Sequence, residues 1–169
     1  MTVMRPIHTN ASFGDMQLHL DFRTPAKIES KGQGRGNSGV FFMGRYELQI
    51  LDSVDNPTYV NGQCASIYKQ HPPLMNASRP RGEWQTYDVV WIAPRFAPDG
   101  KVTSPARLTV FLNGVLVQYE SVLAGPTVYR GTPRYTAHEP EGPIELQDHE
   151  NPTAFRNIWV RKLTLPPAS

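Results

Sequence analysis

"DMQLHLDFR", residues 15–23, decides the fold class. Met16, Leu18, Leu20 and Phe22 fall on one side of this stretch, and Gln17, His19, Asp21 and Arg23 on the other. Side chains alternate across a strand and not around a helix, so this period of two predicts a half-buried β-strand. The pattern returns outward along the chain. In "RYELQILD", residues 45–52, Tyr46, Leu48 and Ile50 oppose Arg45, Glu47 and Gln49. "SGVFFMG" (38–44), "QTYDVVWIA" (85–93), "ARLTVFLNGVLVQYE" (106–120) and "FRNIWVRKL" (155–163) continue it, with Asn113-Gly114 placed as a hairpin turn. Sixteen prolines and thirteen glycines leave little room for long helices. The expectation is one all-β domain over residues 1–169, an antiparallel β-sandwich or jelly roll with long loops and little helix. Leu18, Leu20, Leu48, Ile50, Leu108 and Val110 should lie between its sheets. The stretches 24–36, 53–85 and 124–142 lack a strand pattern and are long enough to be functional loops or to carry short helices. The tail "PPAS" reads as a frayed end.

Bulk properties exclude more than they assign. A formal charge of +2, with arginines scattered, is too small to argue for nucleic acid or an anionic membrane as partner, and no nucleic-acid partner is expected. No apolar run is long enough to span a bilayer, and "MTVMRPIHTN" has no continuous apolar segment of a signal peptide. Cys64 is the sole cysteine, so no internal disulfide forms. It reads as a buried, inert thiol.

"KGQGRGNSGV", residues 31–40, lacks the Lys-Ser/Thr ending of a phosphate loop and leads into a strand, so it reads as a glycine-rich loop beside a sheet. Asn37 and Ser38 can present polar groups at that edge. The polar rows of 15–23 and 45–52 hold Gln, His, Asp, Arg and Glu, planar groups with paired donors and acceptors that match vicinal sugar hydroxyls. Either row can equally be a solvated face. His19-x-Asp21 and Asp148-His149 lack zinc-site spacing with a third ligand, so no metal site is expected. His8, His71 and His138 read as satisfied or solvated. The sequons at Asn10 and Asn76 matter only in a eukaryotic secretory setting. Trp84, at a loop-to-strand junction, caps the core or stacks on a sugar. "GPIELQDHENPTAFRNIWVRKL", residues 142–163, crowds Gln147, Asp148 and His149 at the end of one strand and Arg156 and Asn157 at the start of the next.

Taken in order, "FGDMQLHLDFR", "GRGNSGVFFMGRYELQILDS", "NASRPRGEWQTYDVVWIAPRF", "PARLTVFLNGVLV" and "GPIELQDHENPTAFRNIWVRKL" resemble the successive motifs of the 3-keto-disaccharide hydrolase family. The likeness runs from about Ser12 to Leu163. It implies a concanavalin A-like sandwich, a bacterial and exported or periplasmic setting, and action on glycosides oxidised to a ketone at C3. Two departures stand out. The family usually has an extra N-terminal strand region and often a leader before the segment that starts here at Met1. An edge short of a strand invites pairing with another chain, so either a homodimer or lower stability than longer relatives is expected. The family's "QDHG" turn reads "QDHE" here, placing Glu150 where a glycine would adopt a left-handed conformation more readily.

A C3 ketone acidifies the C2 proton, and the resulting enolate can expel the C1 substituent; water then adds, or the product leaves unsaturated. Such cleavage needs a base near C2, donors around the C3 oxygen and an acid for the leaving oxygen. Under that chemistry Glu47 and His149 are the candidate acid–base pair. Gln49, Gln147 and Asn37 would orient hydroxyls, while Arg156 would steady an anionic oxygen or brace Asp148, which could itself orient His149. His19, Asp52, Tyr68 and Trp84 complete the candidate carbohydrate-binding set. No cofactor is expected, and a divalent cation stays open. The same fold also serves non-catalytic lectins and surface interaction domains, so both remain alternatives.

Overall fold

The computed structural model describes Thr2, residues 5–27 and residues 29–165; the "PPAS" tail lies outside the described residues. Eleven strands follow one another: β1 (Ile7–His8), β2 (Met16–Arg23), β3 (Ser38–Phe42), β4 (Tyr46–Ile50), β5 (Gln85–Ile92), β6 (Arg95–Phe96), β7 (Val102–Ser104), β8 (Arg107–Leu112), β9 (Val115–Val122), β10 (Glu145–Leu146) and β11 (Ala154–Lys162). They build a four-stranded sheet in the order β1-β10-β3-β4, a five-stranded sheet in the order β11-β2-β5-β8-β9, and a small β6-β7 ribbon. All pairings are antiparallel. The two large sheets pack face to face as a sandwich, and helix among the described residues is confined to two short 3-10 turns, at Gly32–Gly34 and Val60–Gly62. No described helix is long and apolar enough to cross a membrane.

The alternation sets the layers. Met16, Leu18, Leu20 and Phe22 of β2 are buried, as are Tyr46, Leu48 and Ile50 of β4 and Leu108 and Val110 of β8. Burying such side chains contributes roughly 1.5–3 kcal/mol each. Trp91 of β5 ties the layers together, its ring stacked 5.0 Å from Phe42 and tilted 5.1 Å from Tyr46. Tyr87 crosses between the sheets too, donating its hydroxyl to the Gln49 carbonyl at 2.7 Å. Cys64 lies beside it, with Sγ 3.2 Å from the Tyr87 hydroxyl, and burial pushes its thiol pKa up. A neutral thiol is a poor nucleophile, which fits an inert core residue. Asn113 and Gly114 both have positive φ, at 54° and 81°, as the tight hairpin between β8 and β9 requires.

The segment joining β10 to β11 does more than reverse the chain. β10 belongs to the four-stranded sheet and β11 to the five-stranded sheet, so residues 147–153 carry the chain from one layer to the other. Glu150 adopts φ +57° there, and its N–H is held by Asp148 Oδ1 at 2.9 Å. The left-handed turn therefore forms with glutamate in the glycine position, braced by the carboxylate two residues before it.

Candidate active site

The outer face of the four-stranded sheet carries a cavity of about 320 Å³. Its floor follows from the alternation of β4: with Tyr46, Leu48 and Ile50 turned to the core, Glu47 and Gln49 must project outward. Phe41 pairs with Glu47 in register and Gly39 with Gln49. Gln147 and His149 border the cavity from the chain leaving β10, and Tyr68, Thr127 and Tyr129 wall it from two of the long loops. Thr127 Oγ1 accepts the Glu47 N–H at 2.9 Å, and the Thr127 N–H bonds the Arg45 carbonyl, which docks that loop along β4.

Glu47 is 6% exposed and makes no ion pair among the described residues. Burial, with the Glu145 carboxylate adding to it, pushes its pKa up to about 8. Taking a carboxylate out of water favours its neutral form, so the group sits near the neutral range and can give or take a proton. The Gln49 amide suits either state. Its NH2 donates to Gln33 Oε1 at 2.9 Å, leaving its carbonyl facing Glu47. Turned over, it donates to Glu47 Oε1 at 3.1 Å and to the Ser38 carbonyl at 2.9 Å. A protonated Glu47 can bond the carbonyl, and an ionised one the NH2.

Gln147 is held by its backbone, with N–H on the Gly39 carbonyl at 2.9 Å and C=O accepting from Ser38 Oγ at 2.7 Å. Its own Oε1 is buried without a protein partner. Such an acceptor at a cavity wall suits a ligand hydroxyl. Asn37 donates to the Gln33 carbonyl at 2.6 Å and also lines the cavity. Tyr68 bonds the Tyr59 hydroxyl at 2.6 Å, and burial together with that bond raises its pKa above the ordinary phenol value. His149 is exposed at the rim.

The cavity thus gathers Glu47, Gln49, Asn37, Tyr68, Gln147 and His149. Other sequence candidates stand elsewhere. His19 and Arg156 lie on the outer face of the five-stranded sheet, on the far side of the sandwich, because β2 turns its polar row away from the core. There His19 Nδ1 bonds Asp88 at 2.7 Å, Asn157 Nδ2 meets His19 Nε2 at 2.9 Å, and Trp159 stacks on the imidazole at 5.3 Å. Arg156 donates to Asp21 at 3.1 Å and lies 4.0 Å over the Trp84 ring, which Arg23 also covers at 4.8 Å. Asp52 is buried against Arg35 at 2.8 Å, behind the site, and Asp148 caps its own turn. The apparent corner of Gln147, His149 and Arg156 is therefore split between two sheets. Phe41, Gln33, Tyr59, Thr127 and Tyr129, by contrast, border this cavity or the lobe beside it although no sequence pattern marks them as site residues. The tyrosines sit in the "NPTYVNG" and "GPTVYRG" loops, which have no periodicity to mark them. Among the described residues no three His, Cys, Asp or Glu side chains gather where a metal could be held.

Comparison with known proteins agrees with this architecture. The chain is 45% identical to a candidate glycosyl hydrolase of known structure from Parabacteroides distasonis, with a TM-score of 0.92 over 96% of this chain and 71% of that one. Two further candidate glycosyl hydrolases from that organism, 21% and 17% identical, share the fold with TM-scores of 0.61 and 0.66. They align over 94% of this chain and over 83% and 76% of their own. No curated protein matches significantly. Residues 4–161 match the family described as the 3-keto-alpha-glucoside-1,2-lyase-like domain. The chain belongs to that family.

Proposed function

We propose that the protein cleaves 3-keto-glycosides by abstracting the C2 proton and eliminating the C1 substituent. The observation that carries this reading is Glu47: a buried carboxyl, raised to about 8, at the floor of a polar cavity of sugar size. A sugar-binding module gains nothing from a buried, unpaired carboxyl, which is costly to keep. A proton-transfer enzyme does, because a raised pKa makes the ionised carboxylate a stronger base.

In this mechanism Glu47 takes the proton from C2, and the electron pair of that bond delocalises onto the C3 oxygen as an enolate. The Gln147 amide is the donor available to that oxygen, and its Oε1 can accept from the flanking hydroxyl. Collapse of the enolate restores the C3 carbonyl, forms the C1–C2 double bond and sends the C1–O pair to the leaving oxygen. His149, at the rim, supplies the proton which that oxygen takes up. Addition of water across C1–C2 completes net hydrolysis; its omission leaves the unsaturated lyase product. No pair of carboxylates at conventional glycosidase spacing is needed.

Incubating the protein with a 3-keto-glucoside and with the unoxidised parent tests this reading. Aglycone release from the ketone alone is expected. Equal release from both would replace the enolate route with a conventional glycosidase mechanism. Binding of the parent with turnover of neither would make the protein a lectin.

A further inference from the structure

Beside the polar cavity lies a second lobe of about 500 Å³, which shares Asn37, Tyr68, Tyr129 and His149 with the first and adds Gln33, Gly34 and Tyr59. Its chemistry is different. Glu47, Gln49 and Gln147 serve the inner lobe, whereas three phenol rings dominate the outer one. The outer polar groups are already engaged: Gln33 Nε2 donates to Thr58 Oγ1 and the Gly62 carbonyl, and Tyr59 and Tyr68 bond each other. A second sugar ring would find few free partners there.

Two cations stand against the rings of this lobe without lining it themselves. Lys69 Nζ stands 3.5 Å from the centre of the Tyr59 ring, with the Tyr68 and Tyr129 rings at 5.8 and 5.6 Å. The Arg130 guanidinium is 5.5 Å from Tyr129. Neither cation meets a carboxylate among the described residues. Lys69 also holds φ +63°, an unfavourable conformation for lysine, fixed by its N–H on the Asn61 carbonyl at 2.8 Å. Gly62 makes room for the Tyr59 ring, since a Cβ there would fall 2.1 Å from Tyr59 Cε2. The local backbone thus sets a cation on an aromatic wall, with no carboxylate against it among the described residues.

We infer that the outer lobe is the leaving-group subsite and selects an aromatic aglycone carrying a negative charge, of hydroxybenzoate type. Tyr129, 68% exposed, is the stacking platform and Lys69 the specificity-determining cation. The direction of the leaving group rests on the proposed 3-keto-glycoside reaction. A phenolic oxygen accepts the C1–O electron pair more readily than a sugar hydroxyl, so its departure makes less demand on the proton from His149. The lysine charge would hold the aglycone's carboxylate and favour the phenolate as it forms.

Two measurements test this, one independent of turnover. In NMR titrations, 4-hydroxybenzoate should bind the wild-type protein. Lys69→Gln should weaken that binding about tenfold while sparing phenol, and Tyr129→Ala should weaken both. In turnover assays, Lys69→Gln should lower kcat/KM about tenfold on a 4-carboxyphenyl 3-keto-glucoside and leave the methyl 3-keto-glucoside unchanged. If neither ketone is turned over but 4-hydroxybenzoate binds with the expected Lys69 dependence, the reaction reading falls and the anionic aromatic subsite stands. If the methyl ketone is turned over while 4-hydroxybenzoate does not bind, or Lys69→Gln affects both substrates alike, the inference is overturned and the reaction reading stands.

Discussion

Glu47 lays its carboxyl across Gly39, so close that a Cβ on Gly39 would stand 2.9 Å from Glu47 Oε1 and 3.1 Å from its Cγ. A glycine inside a strand weakens the strand, and close approach by another group is a physical reason to keep one there. Here the approaching group is the candidate base itself.

Gly39→Ala should therefore displace the Glu47 carboxyl while leaving the fold intact. Turnover of a 3-keto-glucoside is expected to fall by about tenfold to a hundredfold, as a small misplacement of a reacting group can cause. Steady-state kinetics beside a circular dichroism spectrum decides it. Full activity in the variant would remove Glu47 from the chemistry.

The pH profile distinguishes base from acid. With a pKa of about 8, Glu47 is mostly protonated at neutral pH, so a Glu47 base makes kcat/KM rise as pH climbs through about 8. A Glu47 acid would make it fall over the same range. Glu47→Gln, which can do neither, should lose about a hundredfold or more and abolish that limb.

The far face supplies a control. His19, Trp84 and Arg156 sit on the five-stranded sheet, so His19→Gln and Arg156→Ala should leave kcat and KM unchanged. Arg156→Ala removes the ion pair to Asp21 and the cover over Trp84 and should lower stability by about 1 kcal/mol. A large kinetic effect of either substitution would mean that this face also meets substrate.

The difference between the two faces explains how much of the site the sequence reveals. Period two assigns Glu47 and Gln49 to one side of β4, and His19 and Asp21 to one side of β2, with equal clarity. Both are outward sides, and nothing local says that loops roof the one and leave the other open. Asn113-Gly114 was legible because its backbone demand is local. Arg156 reads as a neighbour of His149 because the two are close in sequence, and the crossing from β10 to β11 between sheets separates them. Tyr59 and Tyr129 depend on how two long loops fold back on β4, which is tertiary information without a local pattern.

Glu150 offers a test of the turn. At φ +57° a glutamate carries strain that glycine lacks, so Glu150→Gly should raise stability by about 1 kcal/mol despite the looser unfolded chain. Because Asp148 already braces this turn, His149 keeps its place and kinetics should not change. Chemical denaturation reads the first effect; a loss of stability would mean that the Glu150 side chain makes compensating contacts.

Stability should depend on pH, with a sign set by Glu47. Its folded pKa, about 8, lies above the ordinary 4.5 that it regains on unfolding. Between those values the folded state binds more protons than the unfolded one, so stability falls as pH rises. The contribution is fully present below about pH 4.5 and is lost by the time the pH has passed through about 8. A shift of this size corresponds to about 5 kcal/mol as an upper figure, since a cavity open to water softens the penalty. Glu47→Gln removes the titration but keeps the shape. The variant should match the wild type near pH 4, exceed it progressively toward pH 9, and be inactive throughout. Urea denaturation of both proteins at pH 4, 7 and 9 measures this. Parallel curves would mean that Glu47 is solvated and ordinary, and the case for it as a tuned base would fall with its raised pKa.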